Sequence, residues 1–490
     1  MGMIQTSDAA TETRARAPRA AAALGWIKPI YGLALLVALQ MWLIVHHSPW
    51  RDELQAYLIA RDSHGLADLF ANMHYEGHPS LWFLVLRAAQ AVFHSPLALT
   101  ATQAVVALSV TALVWRKAPF PAWLRLLVLA GYFLLFEYGV IARNYGLGVV
   151  LAFAWLPLRR SLWGWAILAL MPNVAVHFAL LSTFLVLALL WIERRGSWIG
   201  LGLWAAGGLL ALLTIIPAHD VTTGLDFLHQ PLAVRLLDAL RRLAAPLFPA
   251  YVGLPSYQWQ VLPLYPAGQI IGAVTGLLCL LAVRREPRAS WIALGLYVTL
   301  IALSALLYTT YLRHVGVLVL LVIALEWMRM ERRADGGATS PVFAGWMGIN
   351  AVCGLWAAGW ALVVPFSPGQ QEIAWIRAHH LQAAAWASYP GYAGTDLSAF
   401  FGRPTYNLQK GCLNTFIRWD THAYDDVDDD VLSDRISDPG PYAYLVSDQD
   451  LSQIGAPIHQ IARFGRGLGD NDQFLYAVDR PQAGVGVGCR

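Results

Sequence analysis

Short clusters of basic residues break an otherwise almost continuously apolar chain. They are Arg116-Lys117 with Arg125, Arg159-Arg160, Arg194-Arg195, Arg284-Arg285 with Arg288, and Arg329 with Arg332-Arg333. In lipid, backbone polar groups must be satisfied internally, so apolar runs of this length are expected as helices. Loops on the cytoplasmic side carry the excess of Lys and Arg. Placing every cluster there yields spans at 24–46, 96–115, 121–138, 141–158, 161–173, 174–192, 198–216, 264–283, 290–309, 312–328 and 342–364. That is about eleven crossings, an odd number, which puts the C-terminal part outside. Two segments strain the count. Residues 79–93 are apolar but few, start at a proline and include Arg87. A crossing there would turn every later basic cluster outward, so the segment reads as a re-entrant or interfacial helix. Residues 161–192 must hold two crossings around Met171-Pro172-Asn173, so one of them is expected as a short or half-helix.

The expected architecture is an all-α multi-pass membrane domain over residues 24–365. A cytoplasmic tail, 1–23, precedes it and a small α/β extracytoplasmic domain, 366–490, follows. Outer loops fall at 47–95 and 217–262. The apolar run 24–45 is too long for a signal-peptide core and lacks a small-residue cleavage site, so it reads as an uncleaved span with its N-terminus inside. Only 13% of the residues are charged, against about 25% in a soluble domain. The net charge of +3 is too small to argue for a nucleic-acid partner. In the second outer loop Leu232, Leu236, Leu240 and Leu243 form an apolar stripe at helical spacing, flanked by Arg235, Arg241 and Arg242. This amphipathic helix reads as an interfacial brace or as a lid for lipid substrates.

In the tail, 370–381 reads as a helix. Residues 383–388, 442–446 and Gln473–Val478 read as strands, and 451–454 as the opening of a further helix. Cys279 and Cys353 fall in apolar spans and read as small core residues. Cys412 and Cys489 could pair in an oxidising compartment, which spacing alone leaves open. The acidic run 425–430 lacks the alternating ligands and Gly of a calcium loop and reads as solvated surface. No Cys/His spacing resembles a zinc site. A divalent metal is therefore not indicated, and no cofactor is assigned.

Topology drawn from the basic clusters alone also places the other polar residues. Asp52, Glu53, Glu76, His78, Glu137, Arg143, Asn173, His177, Tyr311, Arg313 and His314 all fall at outer span ends or in outer loops. Carboxylates beside hydrocarbon are costly and by default suggest a site. Arg143 and Arg313 run against the positive-inside bias. An arginine so placed needs an anionic partner, and a phosphate suits its planar donors. Singly each has a plainer reading: Arg143 could pair with Glu137, Arg313 could snorkel, and His177 could simply pack. Together they match one reaction. Attack on an anomeric carbon needs a carboxylate to take a proton or orient the nucleophile. A polyprenyl-phosphate leaving group needs cations.

This layout resembles the GT-C superfamily of polyprenyl-phosphate-sugar glycosyltransferases, in its protein O-mannosyltransferase and aminoarabinose-transferase branch. The resemblance rests on Asp52-Glu53 after the first span, Tyr57 shortly after, His78-Pro79-Ser80-Leu81-Trp82, Arg143-Asn144-Tyr145, His177 and the C-terminal domain. The second acidic site of that family is matched only by Glu137, and Tyr311-Leu312-Arg313-His314 departs from the Arg-Tyr pattern near its last spans. The resemblance implies Asp52 and Glu53 as catalytic carboxylates and Arg143, Arg313, His314 and His78 at the donor phosphate. Tyr57, Glu76, Glu137, Tyr145 and His177 would line the substrate site. It implies a polyprenyl-phosphate-linked sugar and a lipid, glycan or protein acceptor as partners, at the outer face of a bacterial inner membrane. A transporter or flippase of lipid-linked sugars is the competing class; it should show inverted repeats, and none is visible.

Overall fold

A computed structural model describes residues 29–221, 226–249, 267–332, 338–421, 423, 427–484 and 486–489. The expected tail 1–23, parts of the second outer loop and part of the acidic run lie outside the described residues. Five helices are long and apolar enough to cross a membrane: Pro29–His46, Leu97–Lys117, Trp198–Ile215, Pro287–Leu306 and Pro341–Ala361. They carry large apolar side chains outward, with Leu35 72% and Trp198 90% exposed. A contiguous apolar exterior of this kind is what a bilayer would cover.

The other expected spans are shorter or interrupted, so eleven full-length crossings are not seen among the described residues. Expected span 121–138 divides into the helix Ala122–Ala130 and a π-helical turn Phe133–Glu137. Expected span 312–328 divides at Gly316 into a turn Leu312–Val315 and the helix Val317–Arg332. Gly316 keeps a right-handed helical backbone, and a glycine is required there because a Cβ would collide with the Tyr138 hydroxyl and the Phe133 ring. Residues 161–192 contain the expected short helix, Leu162–Leu170, then a 3-10 turn Met171–Asn173 and the helix Val176–Trp191. The Asn173 side chain donates to Ala169 O and Gly207 O, both at 3.0 Å, and satisfies the carbonyls around the break. Residues 79–93 form the 13-residue helix Leu81–Phe93, too short for a span of roughly 17–25 residues. Arg87 pins it, donating to Ala60 O at 3.2 Å and Ser63 O at 3.1 Å.

The centre of the bundle is Val317–Arg332, buried at every position from Val317 to Met330. Arg143 and Arg159 flank opposite ends of the helix Asn144–Leu158. At the Arg159 end the basic clusters find carboxylates. Arg159 pairs with Glu193 at 2.8 Å and Glu331 at 2.7 Å, Arg332 with Glu286 at 2.5 Å, and Arg329 with Glu326 at 2.6 Å. The amphipathic helix, Leu232–Arg242, braces the Arg143 end. Arg235 donates to Ala305 O and Arg242 to Thr310 O, each at 2.7 Å.

The C-terminal domain opens with the helix Gly369–Ala378. It carries six strands: β1 Trp386–Tyr389, β2 Thr405–Asn407, β3 Cys412–Asn414, β4 Tyr444–Ser447, β5 Ile458–Phe464 and β6 Gln473–Val478. Their order is β3-β2-β1-β4-β6-β5, with β2, β1 and β4 parallel and the rest antiparallel. Strand alternation divides the core. Leu445 and Tyr476 face Leu432 and Ile436 of the helix Asp429–Ser437. Val446 and Leu475 face Ile376 and Leu397 on the other side. The segment 451–454 is a turn, not the expected helix. Leu451 N–H donates to the Tyr476 hydroxyl at 2.8 Å and Ser452 N–H to Asp450 Oδ1 at 3.0 Å, an Asx-type arrangement that competes with helix. Asp429 and Asp430 are exposed in the first turn of their helix, where the dipole favours them.

Cys412 and Cys489 form a disulfide across 77 residues, while Cys279 and Cys353 are buried in the bundle. Unreduced, denatured protein should therefore take two maleimide tags, and reduced protein four. Cys412→Ser is expected to remove roughly 2–5 kcal/mol of the domain's stability, since a loop this long gains much chain entropy when opened. Denaturant unfolding of the full chain, followed by proteolytic release of the domain, measures it.

Candidate functional site

The site begins where the first long helix ends, in Ser48-Pro49-Trp50. The next helix, Arg51–Asp62, is started by Glu53, the third residue of its first turn. Glu53 Oε2 accepts from Trp50 N–H and from His47 Nε2, both at 2.8 Å, which is the reaching-back half of a capping box. Its Oε1 accepts from Ala142 N–H at 2.6 Å. Glu53 is fully buried with both oxygens engaged. It fastens the helix start to the residue before Arg143 and so holds Asp52 opposite Arg143. Glu53, expected as a catalytic carboxylate, is therefore engaged in holding the helix start and does not line the cavity that Asp52 lines.

Asp52 Oδ2 accepts from Arg143 Nη1 at 2.6 Å, and Arg51 approaches its other oxygen at 3.8 Å. Arg143 therefore pairs with Asp52 and not with Glu137. Its Nη2 faces His78 Nε2 at 3.3 Å. The guanidiniums of Arg143, Arg51 and Arg313 all gather on the Trp50 ring, at 5.4, 5.9 and 6.0 Å from its centre. Burial pushes the Asp52 carboxyl up, but Arg143, Arg313 and Arg51 together outweigh it and hold the group below the usual carboxylate range.

Asp52, Glu76, His78, Arg143 and Arg313 line one cavity of about 490 Å³. These five come from three segments far apart in sequence. Glu76 Oε1 accepts from Gln55 Nε2 at 2.7 Å. Burial, aided by the Asp52 charge and opposed by Gln55 and Arg143, raises the Glu76 carboxyl to about 7. Burial and the charges of Arg143 and Arg313 lower His78 to about 3, so it stands neutral at physiological pH. Two guanidiniums of the lining, Arg143 and Arg313, then face the ionised Asp52 and the raised Glu76, while Arg51 lies off the lining toward Asp470 and Asp448. The excess positive charge suits an anion.

The other expected residues lie outside the cavity lining. His314 is buried, accepts from Tyr311 N–H at 3.0 Å through Nδ1, and stacks on His177 at 4.2 Å and 10°. Expected at the donor phosphate, it is packed against His177 and does not line the cavity. Tyr145 is buried against Tyr138 at 5.8 Å and His314 at 5.9 Å. Tyr57, expected in the substrate site, packs with Leu54, Leu58 and Trp82 in the core of the first loop and does not line the cavity. Glu137 sits in the π-helical turn and accepts from the Tyr132 hydroxyl at 3.1 Å, also away from the lining. Each side chain obeys its packing stripe, which the outer-end assignment alone did not resolve.

The cavity has walls that sequence reasoning missed. Gln55 holds both backbone groups of Ile417, donating to its O at 2.6 Å and accepting from its N–H at 3.0 Å. That docking carries Trp419 of the C-terminal domain into the cavity wall. Trp50 adjoins the Asp52-Glu53 pair, yet nothing in its spacing separates it from an interfacial tryptophan. Among the described residues no three His, Cys, Asp or Glu side chains converge as a metal site. No family model, curated protein or solved structure matches the chain.

Proposed function

We propose that the protein is a membrane glycosyltransferase that moves a sugar from a polyprenyl-phosphate donor to an acceptor hydroxyl or amine. The observation that carries this reading is the cavity itself. It gathers guanidiniums on Trp50 beside a carboxylate poised near neutral pH, at one end of an apolar helix bundle. The Arg159 end is cytoplasmic in this reading, by the positive-inside bias. The N-terminus is then cytoplasmic, and the cavity and C-terminal domain face outward from a bacterial inner membrane.

The donor phosphate enters against Arg143 and Arg313, with neutral His78 alongside. Asp52 keeps the Arg143 plane oriented while its outer nitrogen turns to the anion. Glu76 takes the proton of the acceptor as the acceptor oxygen or nitrogen bonds to the anomeric carbon. The bond from that carbon to the phosphate oxygen breaks, and polyprenyl phosphate leaves with its charge held by the arginines. Arginine is suited to both ground-state and developing charge because two of its donors lie in one plane.

Purified protein in nanodiscs, given labelled undecaprenyl-phosphate sugars and a cell-envelope fraction, should move the label from lipid to acceptor. Label that only crosses the bilayer of proteoliposomes, still on its lipid, would instead support a transporter.

A further inference from the structure

Two further hollows adjoin the reaction cavity. A second trough of about 710 Å³ lies between the first loop and the C-terminal domain, and a hollow of about 370 Å³ lies between trough and cavity and shares lining residues with each. His74 and Tyr75 line both the cavity and the smaller hollow. Asn72 and Arg418 line both the smaller hollow and the trough. One wall is therefore a single run of chain that ends at Glu76. The other is the segment 410–420, whose Arg418 faces the trough and whose Trp419 faces the cavity.

We infer that this trough binds the acceptor, and that the acceptor is a hydroxyl-rich glycan chain whose end reaches Glu76. The inference rests on the transferase reading above. Three observations select the ligand class. None of the helices long and apolar enough to cross a membrane contributes to the trough, so it does not suit an acyl or prenyl chain. Its charges are largely neutralised in place: Arg61 pairs with Asp62 at 2.5 Å, and Lys410 with Asp420 at 2.7 Å. That disfavours a strongly charged polymer of either sign. What remains is side chains rich in hydrogen-bonding groups, Asn72, Asn414 and Thr415 among them, with the Phe416 ring as an apolar face. Arg418 donates to Asn72 Oδ1 at 3.1 Å and lies 5.8 Å from the Tyr75 ring. These residues form a polar and aromatic neck, which in this proposal a sugar chain passes by exchanging its hydroxyls for the Arg418–Asn72 hydrogen bond. The volume falls within the range of about 300–1,000 Å³ typical of small-ligand sites.

A plug tests the trough without removing any of its side chains from the comparison. His64 is exposed at its rim. In His64→Cys the introduced thiol is the accessible one, because Cys279 and Cys353 are buried and Cys412 and Cys489 are joined. Attaching a polyethylene-glycol maleimide should lower transfer from labelled undecaprenyl-phosphate sugar to the envelope fraction at least tenfold, relative to the same variant before attachment. Binding of the labelled donor should stay the same. The same label on Val431→Cys, exposed on the helix Asp429–Ser437 and not among the residues lining the trough, should leave transfer unchanged. The product of the parent protein should resist protease and be destroyed by periodate-based glycan cleavage. Undiminished transfer after plugging at residue 64, or a protease-released product, overturns the glycan trough while leaving the transferase reading intact. Absence of any transfer by the parent removes the transferase reading and the trough with it.

Discussion

Arg143→Ala is expected to lower turnover by about 10²–10³, the loss seen when one donor to a developing oxyanion is removed. Donor binding should weaken with it. The geometry makes this residue the pivot of the site. One nitrogen holds Asp52 at 2.6 Å, another faces His78 at 3.3 Å, and the guanidinium plane lies by Trp50. Arg143→Lys should recover little, because an ammonium cannot contact two oxygens in one plane. Asp52→Asn should also be severe, since it removes the charge that orients Arg143. The two residues act as a unit, so the double variant should be far less impaired than the product of the two single losses. Initial rates and equilibrium binding of labelled undecaprenyl-phosphate sugar to all four proteins decide it. Independent, multiplicative losses would break the proposed link between Asp52 and Arg143.

That convergence is legible in the sequence. Basic clusters mark one end of the bundle, so an arginine at the other end stands out, and Arg143 and Arg313 do meet there. The physical reason is that charge near lipid is constrained by topology, which sequence records. Side-chain direction is recorded less well. Glu53 and Asp52 are adjacent and both acidic, yet a helical step of one residue turns Glu53 into the protein and Asp52 into the cavity. His177 and His314 looked like independent outer-end residues because nothing in sequence shows that their rings stack. Gln55 and Trp419 were invisible for a further reason: their roles depend on the C-terminal domain docking on the first loop. In that domain β6 was readable as an apolar run. Strand β5 was not, because it is an edge strand whose His459, Gln460 and Arg463 break the apolar pattern. Edge strands commonly carry such residues, which discourage pairing with other chains.

The identity of the base gives the second large effect. The sequence pointed to Asp52, but the arginines around Asp52 hold it below the usual carboxylate range, which makes it a poor proton acceptor near neutral pH. Glu76 shares the cavity and is raised to about 7. General-base efficiency is greatest when the group's pKa lies near the working pH. A base must be deprotonated to act, so activity should be full above about 7 and fall as pH drops through that value. Glu76→Gln keeps the side-chain volume and the contact region of Gln55 but cannot accept the proton. It should cost about 10²–10⁴ in turnover and flatten the acid limb of the pH–rate profile, while donor binding stays near that of the parent. If Asp52 is the base instead, the limb moves below the ordinary carboxylate range, and Glu76→Gln retains both the rate and the limb. The two carboxylates are thus separated by the position of one limb and by which substitution erases it.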